Sequence, residues 1–145
     1  MRIVLEEVPD DLARELFALL GQADKLPVAF TPEWTVSRAA ALLRDLPTAA
    51  VEIIRTAAAA DDGWAPAEAL RGPDGKASLR GRTGAITKAI QRGATRKDWP
   101  ADMPAPVQAQ YDPNIPAFQR TSGFRMHADC VPVFRAAIER IDANV

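Results

Sequence analysis

Twelve prolines and eight glycines in 145 residues cut this chain into short segments, and that punctuation limits what it can fold into. The longest apolar run is only a few residues, so no membrane-crossing helix is expected. The segments differ in period. Arg2–Val8 reads as a strand, with Ile3, Val4, Leu5 and Val8 apolar and Pro9 ending it. Asp10 or Asp11 can cap a helix over 11–20, with Leu12, Leu16, Leu19 and Leu20 in one stripe and Gly21 as its stop. The stretch 22–32 holds two prolines and reads as a connector.

Thr35 then caps a helix in which Val36, Ala39, Ala40 and Leu43 recur at helical spacing up to Pro47. Pro47 suits the first position of a second helix, 47–60, with Val51, Ile54 and Ala58 on its core face and Asp61-Asp62-Gly63 as its end. Ala65–Leu70 makes a short third helix after Trp64, closed by Gly72-Pro73. The next helix is capped by Ser78 and runs to about Arg92, with Gly93 as its stop; alternatively Gly81 and Gly84 fray its first turn and it starts near Thr83. Val107, Ala109 and Tyr111 alternate with polar residues, as do Phe124 and Met126, giving two strands joined by the loop 113–121. Asp129 caps a last helix carrying Val133, Phe134, Ala137, Ile138 and Ile141.

This order is that of an α+β, mainly helical winged helix-turn-helix with a β-hairpin wing and an added N-terminal strand–helix. The reading divides the chain into an extension, 1–30, and a winged domain with its C-terminal helix, 31–145, as one unit. Apolar residues at 48% and charged residues at 26% are the composition of an ordinary folded domain. The N-terminus has no signal-peptide pattern, and the single cysteine, Cys130, excludes an internal disulfide. Both fit a cytoplasmic protein. Arginine in excess of lysine and abundant alanine fit a GC-rich bacterial genome.

Charge is where function enters. The net charge is −1, yet residues 71–97 carry eight basic groups against one acid, Asp74. A near-neutral protein with one basic segment is the pattern of local phosphate contact, because affinity comes from local counterion release. A solvated basic face reads equally well from the charges alone. On a helical wheel Leu79, Ile86 and Ile90 share one face of the helix 78–92, while Arg80, Gly84, Thr87, Lys88 and Gln91 share the opposite one. Two cations, a hydroxyl and an amide are suited to base edges in a major groove. Arg80, Thr87, Lys88 and Gln91 are therefore the expected base-facing residues. Arg82, Arg92, Arg96 and Lys97, with Arg120 and Arg125 from the hairpin, are the expected phosphate contacts. The expected partners are double-stranded DNA and a second copy of the chain, with no membrane and no cofactor.

Catalytic motifs read poorly. Gly72–Ser78 has neither the spacing nor the Lys-Ser/Thr pair of a phosphate loop. His127, Asp129 and Cys130 are close in sequence, but one His and one Cys are too few for a structural zinc site within one chain. Cys130 reads as an apolar filler and His127 as a capping or surface residue. Trp34, Trp64 and Trp99 sit at element boundaries, where an indole can close a gap and its N–H can reach a partner. Phe118 reads as an anchor of the wing loop or, alternatively, as a partner contact. The reading is of a protein that is no enzyme.

The opening strand with VPDD, the stretch LPTAAVEIIRTAAAADDGWAPAEAL and the ending SGFRMHADCVPVFRAAIE resemble an uncharacterised family of small actinobacterial proteins. The resemblance implies an N-terminal strand–helix joined to a winged helix. The DDGWAPAEAL turn followed by a basic helix is also similar to winged-helix transcription regulators, which implies DNA binding. Winged helices also serve as protein-docking modules, and that is the alternative the sequence leaves open.

Overall fold

The structure, a computed structural model, describes residues 5–20, 32–111, 114 and 121–144. Among these it has six helices and three strands: α1 (Asp10–Leu20), α2 (Val36–Asp45), α3 (Thr48–Ala59), β1 (Trp64–Pro66), α4 (Ala67–Leu70), α5 (Arg82–Thr95), β2 (Val107–Tyr111), β3 (Thr121–Met126) and α6 (Cys130–Ala143). The chain is α+β. The strands form one antiparallel sheet in the order β1-β3-β2.

Local chemistry explains most boundaries. Thr35 caps α2 as expected, its hydroxyl oxygen accepting from the Arg38 N–H at 3.2 Å. Pro47 lies one residue before α3, where its missing N–H costs nothing. Asp129 precedes α6, although its carboxylate makes no capping bond. In β2 and β3 the alternation holds as far as Gln110: Val107, Phe124 and Met126 are buried and Gln108, Gln110 and Arg125 exposed, but Tyr111, expected on the inward face, is exposed where the register shifts after Gln110.

Three expectations are corrected. Residues 5–8 form no strand, and Glu7 has φ 55°, a left-handed conformation that breaks an extended run; residues 2–4 lie outside the described residues. The short helix expected over Ala65–Leu70 begins only at Ala67; Ala65 and Pro66 belong with Trp64 to a strand that pairs with β3, Ala65 opposite Phe124. Three residues are too few to show a period of two, and Pro66 is tolerated because β1 is an edge strand. α5 starts at Arg82, not at Ser78, after Gly81 with φ 81° in the left-handed region that glycine adopts without strain.

Gly93 does not end α5 either. It lies buried within the last turns, and a Cβ built there would sit 1.9 Å from Cζ2 of Trp99. The missing side chain is the space into which the indole packs. Trp99 is 2% exposed and donates its Nε1–H to the Ile90 carbonyl at 2.9 Å. Its ring meets Trp34 edge-on at 5.3 Å between centroids, and Trp34 meets Phe134 of α6 at 5.5 Å. Trp34 donates its own N–H to the Pro104 carbonyl at 2.8 Å. Both indoles therefore bury their rings without leaving a donor unpaired.

Around this aromatic row the core is aliphatic: Leu42 of α2, Ile53 and Ile54 of α3 and Ile86 of α5 are all buried. α6 packs on α2 and α3, and Arg55 fixes it from outside with two bonds to Asp142, at 3.0 and 2.6 Å. Burial also raises the Cys130 thiol to about 11, with the adjacent Asp129 charge adding to the effect. α1 is held to α2 by an ion pair between Asp10 and Arg38. Leu12 and Leu19 of α1 remain 47% and 64% exposed. The expected wing loop lies largely outside the described residues, and with it Phe118.

Candidate nucleic-acid interface

α5 is an amphipathic helix whose two faces separate cleanly. Ile86, Ala89, Ile90 and Gly93 are buried toward the body of the protein, with α2, α3 and β2 as neighbours. Gly84, Thr87, Lys88, Gln91 and Thr95 are not buried and follow one another at short helical steps, which places them on one ridge. Thr87, Lys88 and Gln91 are thus brought together as expected. Leu79 is buried too, but it precedes the helix. Arg80 also precedes it, exposed in the turn whose N–H bonds the Ser78 hydroxyl at 3.2 Å. It does not belong to the helical face the wheel assigned it.

The groups on the ridge differ in what they can offer. The Thr87 hydroxyl donates to the Thr83 carbonyl at 3.2 Å and that of Thr95 to the Gln91 carbonyl at 3.0 Å. Each keeps oxygen lone pairs and a methyl for a partner. The side chains of Lys88 and Gln91 make no hydrogen bond or ion pair with the described residues. They keep their full donor and acceptor sets. Together with Arg92, Thr95 and Arg96 they line an open groove of 500 Å³.

The residues expected at phosphates are more heavily engaged. Arg82 donates Nε to the Ser78 carbonyl and Nη1 to that of Leu70, at 3.2 and 3.3 Å, fastening the connector 71–81 to the end of α4. Arg92 donates Nε to Oδ2 of Asp45 at 3.2 Å and Nη2 to the Asp45 carbonyl at 3.3 Å. Arg96 reaches the same Oδ2 at 3.5 Å and bonds Asp98 at 3.0 Å. Its bond to Asp98, then the two nearby negative charges, holds the Arg96 guanidinium further into its charged range. Lys97 is exposed and lies past the helix end at φ 65°.

Arg125 stands over the Trp64 ring at 4.9 Å and donates to the Asp62 carbonyl at 3.2 Å. Arg120 lies outside the described residues. Asp45 was not legible as part of this surface, being 47 positions before Arg92. Asp98, two residues after Arg96, could have been found from sequence proximity.

A second cavity, of 730 Å³, opens between the outward face of β2 and β3, the connector at Pro104–Pro106 and the start of α6. His127 lies in it, 70% exposed, with Nδ1 accepting from the Asp129 N–H at 3.3 Å. Cys130 contributes a protonated, buried thiol at neutral pH, which is a poor nucleophile. Among the described residues no three His, Cys, Asp or Glu side chains gather as a metal site. No helix among them is long and apolar enough to cross a membrane. Compared with known protein families, with curated proteins and with solved structures, the chain matches none.

Proposed function

We propose that this chain is a winged-helix protein of the bacterial cytoplasm that binds double-stranded DNA as a homodimeric transcription regulator. α5 would enter the major groove. The observation that carries this reading is the exposed ridge of Thr87, Lys88 and Gln91 on a helix whose opposite face is committed to the core. Such a ridge presents an ammonium, an amide and a methyl-bearing acceptor, the chemistry that reads base edges. The order of elements supports it: α3, β1, α4, α5, β2 and β3, with β1 paired to β3, follows the helix–strand–helix–helix–strand–strand plan of a winged helix. The connection before α5 departs from the simplest form. α4 has four residues, and the connector 71–81 replaces the three- or four-residue turn of a standard helix-turn-helix.

Under this reading Arg80, Lys97, Arg92, Arg96 and the hairpin's Arg125 and Arg120 meet phosphates, while Arg82 stays with the fold. Selection of bound duplexes from a random library by the purified protein tests it, followed by Thr87→Ala and Gln91→Ala. Each substitution relaxes the preferred site by about 1–3 kcal/mol for every base edge left unread. An unchanged site and affinity in both variants would remove α5 as the reader. Light scattering at micromolar concentration tests the dimer.

One observation favours a second reading, a protein-docking module on the same scaffold. Leu12 and Leu19 of α1 are exposed on one apolar stripe, a surface DNA would not use. Selection that recovers no duplex, together with a dimer or complex abolished by Leu12→Ser/Leu19→Ser, would favour that module.

A further inference from the structure

Asp45 is the last residue of α2, at the helix end where the backbone dipole disfavours an acid. Two guanidiniums of the α5 end offset that placement: Arg92 and Arg96 share its Oδ2, at 3.2 and 3.5 Å. Its side chain is 29% exposed, theirs 48% and 47%, so the cluster is open to an incoming anion on the arginine side. Arg92 and Arg96 also line the groove beside Lys88 and Gln91. A phosphate arriving there must take N–H donors from Asp45 or share them with it. Sharing places two negative charges within a few ångströms, where their repulsion is barely screened by salt.

We propose that Asp45 is a built-in electrostatic competitor that lowers the affinity of the α5 surface for the DNA backbone, resting on the DNA-binding reading given above. Arg92 and Arg96 are held ready by the acid and released only to a phosphate that the rest of the interface positions well. Weak, sequence-independent binding is then penalised more than binding at the preferred site, which raises the specificity ratio. Asp98, bonded to Arg96 at 3.0 Å, adds to the same effect on one of the two arginines.

The test compares wild type, Asp45→Asn and Glu52→Gln on duplex DNA of arbitrary sequence, by fluorescence anisotropy across a series of salt concentrations centred on about 0.1 M, where counterion release is readily measured. Asparagine keeps the size and the acceptor oxygen and removes the charge. Glu52 is exposed on α3, so its variant controls for net charge alone. One additional phosphate contact multiplies the observed constant by roughly [salt] to the power −0.9, about eightfold at about 0.1 M. The expected result is therefore an affinity about five- to tenfold higher for Asp45→Asn, with the salt slope steeper by about one unit and Glu52→Gln unchanged. Circular dichroism confirms that both variants are folded.

Wild type that binds, with Asp45→Asn equal or weaker and the slope unchanged, overturns the competitor and leaves Asp45 as a structural tether. An equal gain in Glu52→Gln overturns it as well, since net charge would then suffice. Absence of binding by all three proteins overturns the DNA reading itself, and the competitor with it.

Discussion

Gly93→Ala and Gly84→Ala make the same chemical change in the same helix, and the structure gives them opposite signs. In an exposed helix interior, alanine is more favourable than glycine by about 1 kcal/mol. Gly84 lies in the first turn of α5 and a new Cβ there meets nothing within 4 Å, so Gly84→Ala should show part of that gain, about 0.5 kcal/mol. At Gly93 the new Cβ falls 1.9 Å from Cζ2 of Trp99, 2.3 Å from Cε2 and 2.6 Å from Cη2. Carbon atoms need about 3.5 Å, so the indole must retreat by about 1.5 Å.

It has little room to do so. Its N–H is anchored on Ile90 at 2.9 Å and its ring abuts Trp34. Moving it strands a buried donor, at about 1–3 kcal/mol, and disturbs an aromatic pair worth about 0.5–1.5 kcal/mol. After the propensity gain the net destabilisation is centred on about 2 kcal/mol. In urea and thermal melts followed by tryptophan fluorescence, Gly93→Ala should lose that stability, with a melting point lower by roughly 8 °C, while Gly84→Ala gains about 2 °C. A Gly93→Ala protein as stable as wild type, with unshifted emission, would refute the packing of Trp99 into the glycine gap.

Two further outcomes follow from titrating groups. With its pKa at about 11, Cys130 should react with iodoacetamide near neutral pH about two orders of magnitude more slowly in the folded protein than in urea; equal rates would contradict its burial. The Arg55 hydrogen bond and charge hold Asp142 below the usual carboxylate range, so the folded state binds that proton less readily than the unfolded chain. Its stabilising effect is present above about pH 4 and disappears as pH falls through the lowered value; melting points of wild type minus Asp142→Asn should converge toward acid pH, and a difference that stays constant down to about pH 2.5 would rule the linkage out.

What the sequence disclosed depended on range. Thr35, Pro47 and the alternation in 107–111 act on neighbours within four residues, and each element they mark is where the spacing placed it. Gly93 was misread because two causes produce the same letter. A glycine near a helix end reads as a stop, whereas here it makes room for a tryptophan six residues on, a contact no local pattern announces. β1 failed for a related reason, since its three residues are a strand only because β3, about sixty residues later, pairs with them. The start of α5 was legible as one of two alternatives, and glycine's ease at positive φ decided for the later one.

The candidate site shows the same limit in its charges. Counted along the chain, residues 71–97 hold eight cations of one kind. In space they divide. Arg71 donates to the Thr121 carbonyl and Arg82 to those of Ser78 and Leu70, so both hold the connector region to the fold. Arg92 and Arg96 are partnered by Asp45 and Asp98. Among the described residues Lys76, Arg80, Lys88 and Lys97 have side chains with no acid or carbonyl bound, and of these only Lys88 rides on α5. The segment's formal charge therefore overstates the field it presents. Acids from elsewhere in the chain cancel part of it, and backbone carbonyls immobilise another part. A surface of this kind attracts polyanions less than its composition suggests and depends more on the few side chains left unbound, Lys88 and Gln91 first among them. The basic stretch is the visible sign of the candidate interface, and its selectivity would rest on the uncharged positions and the acids packed around it.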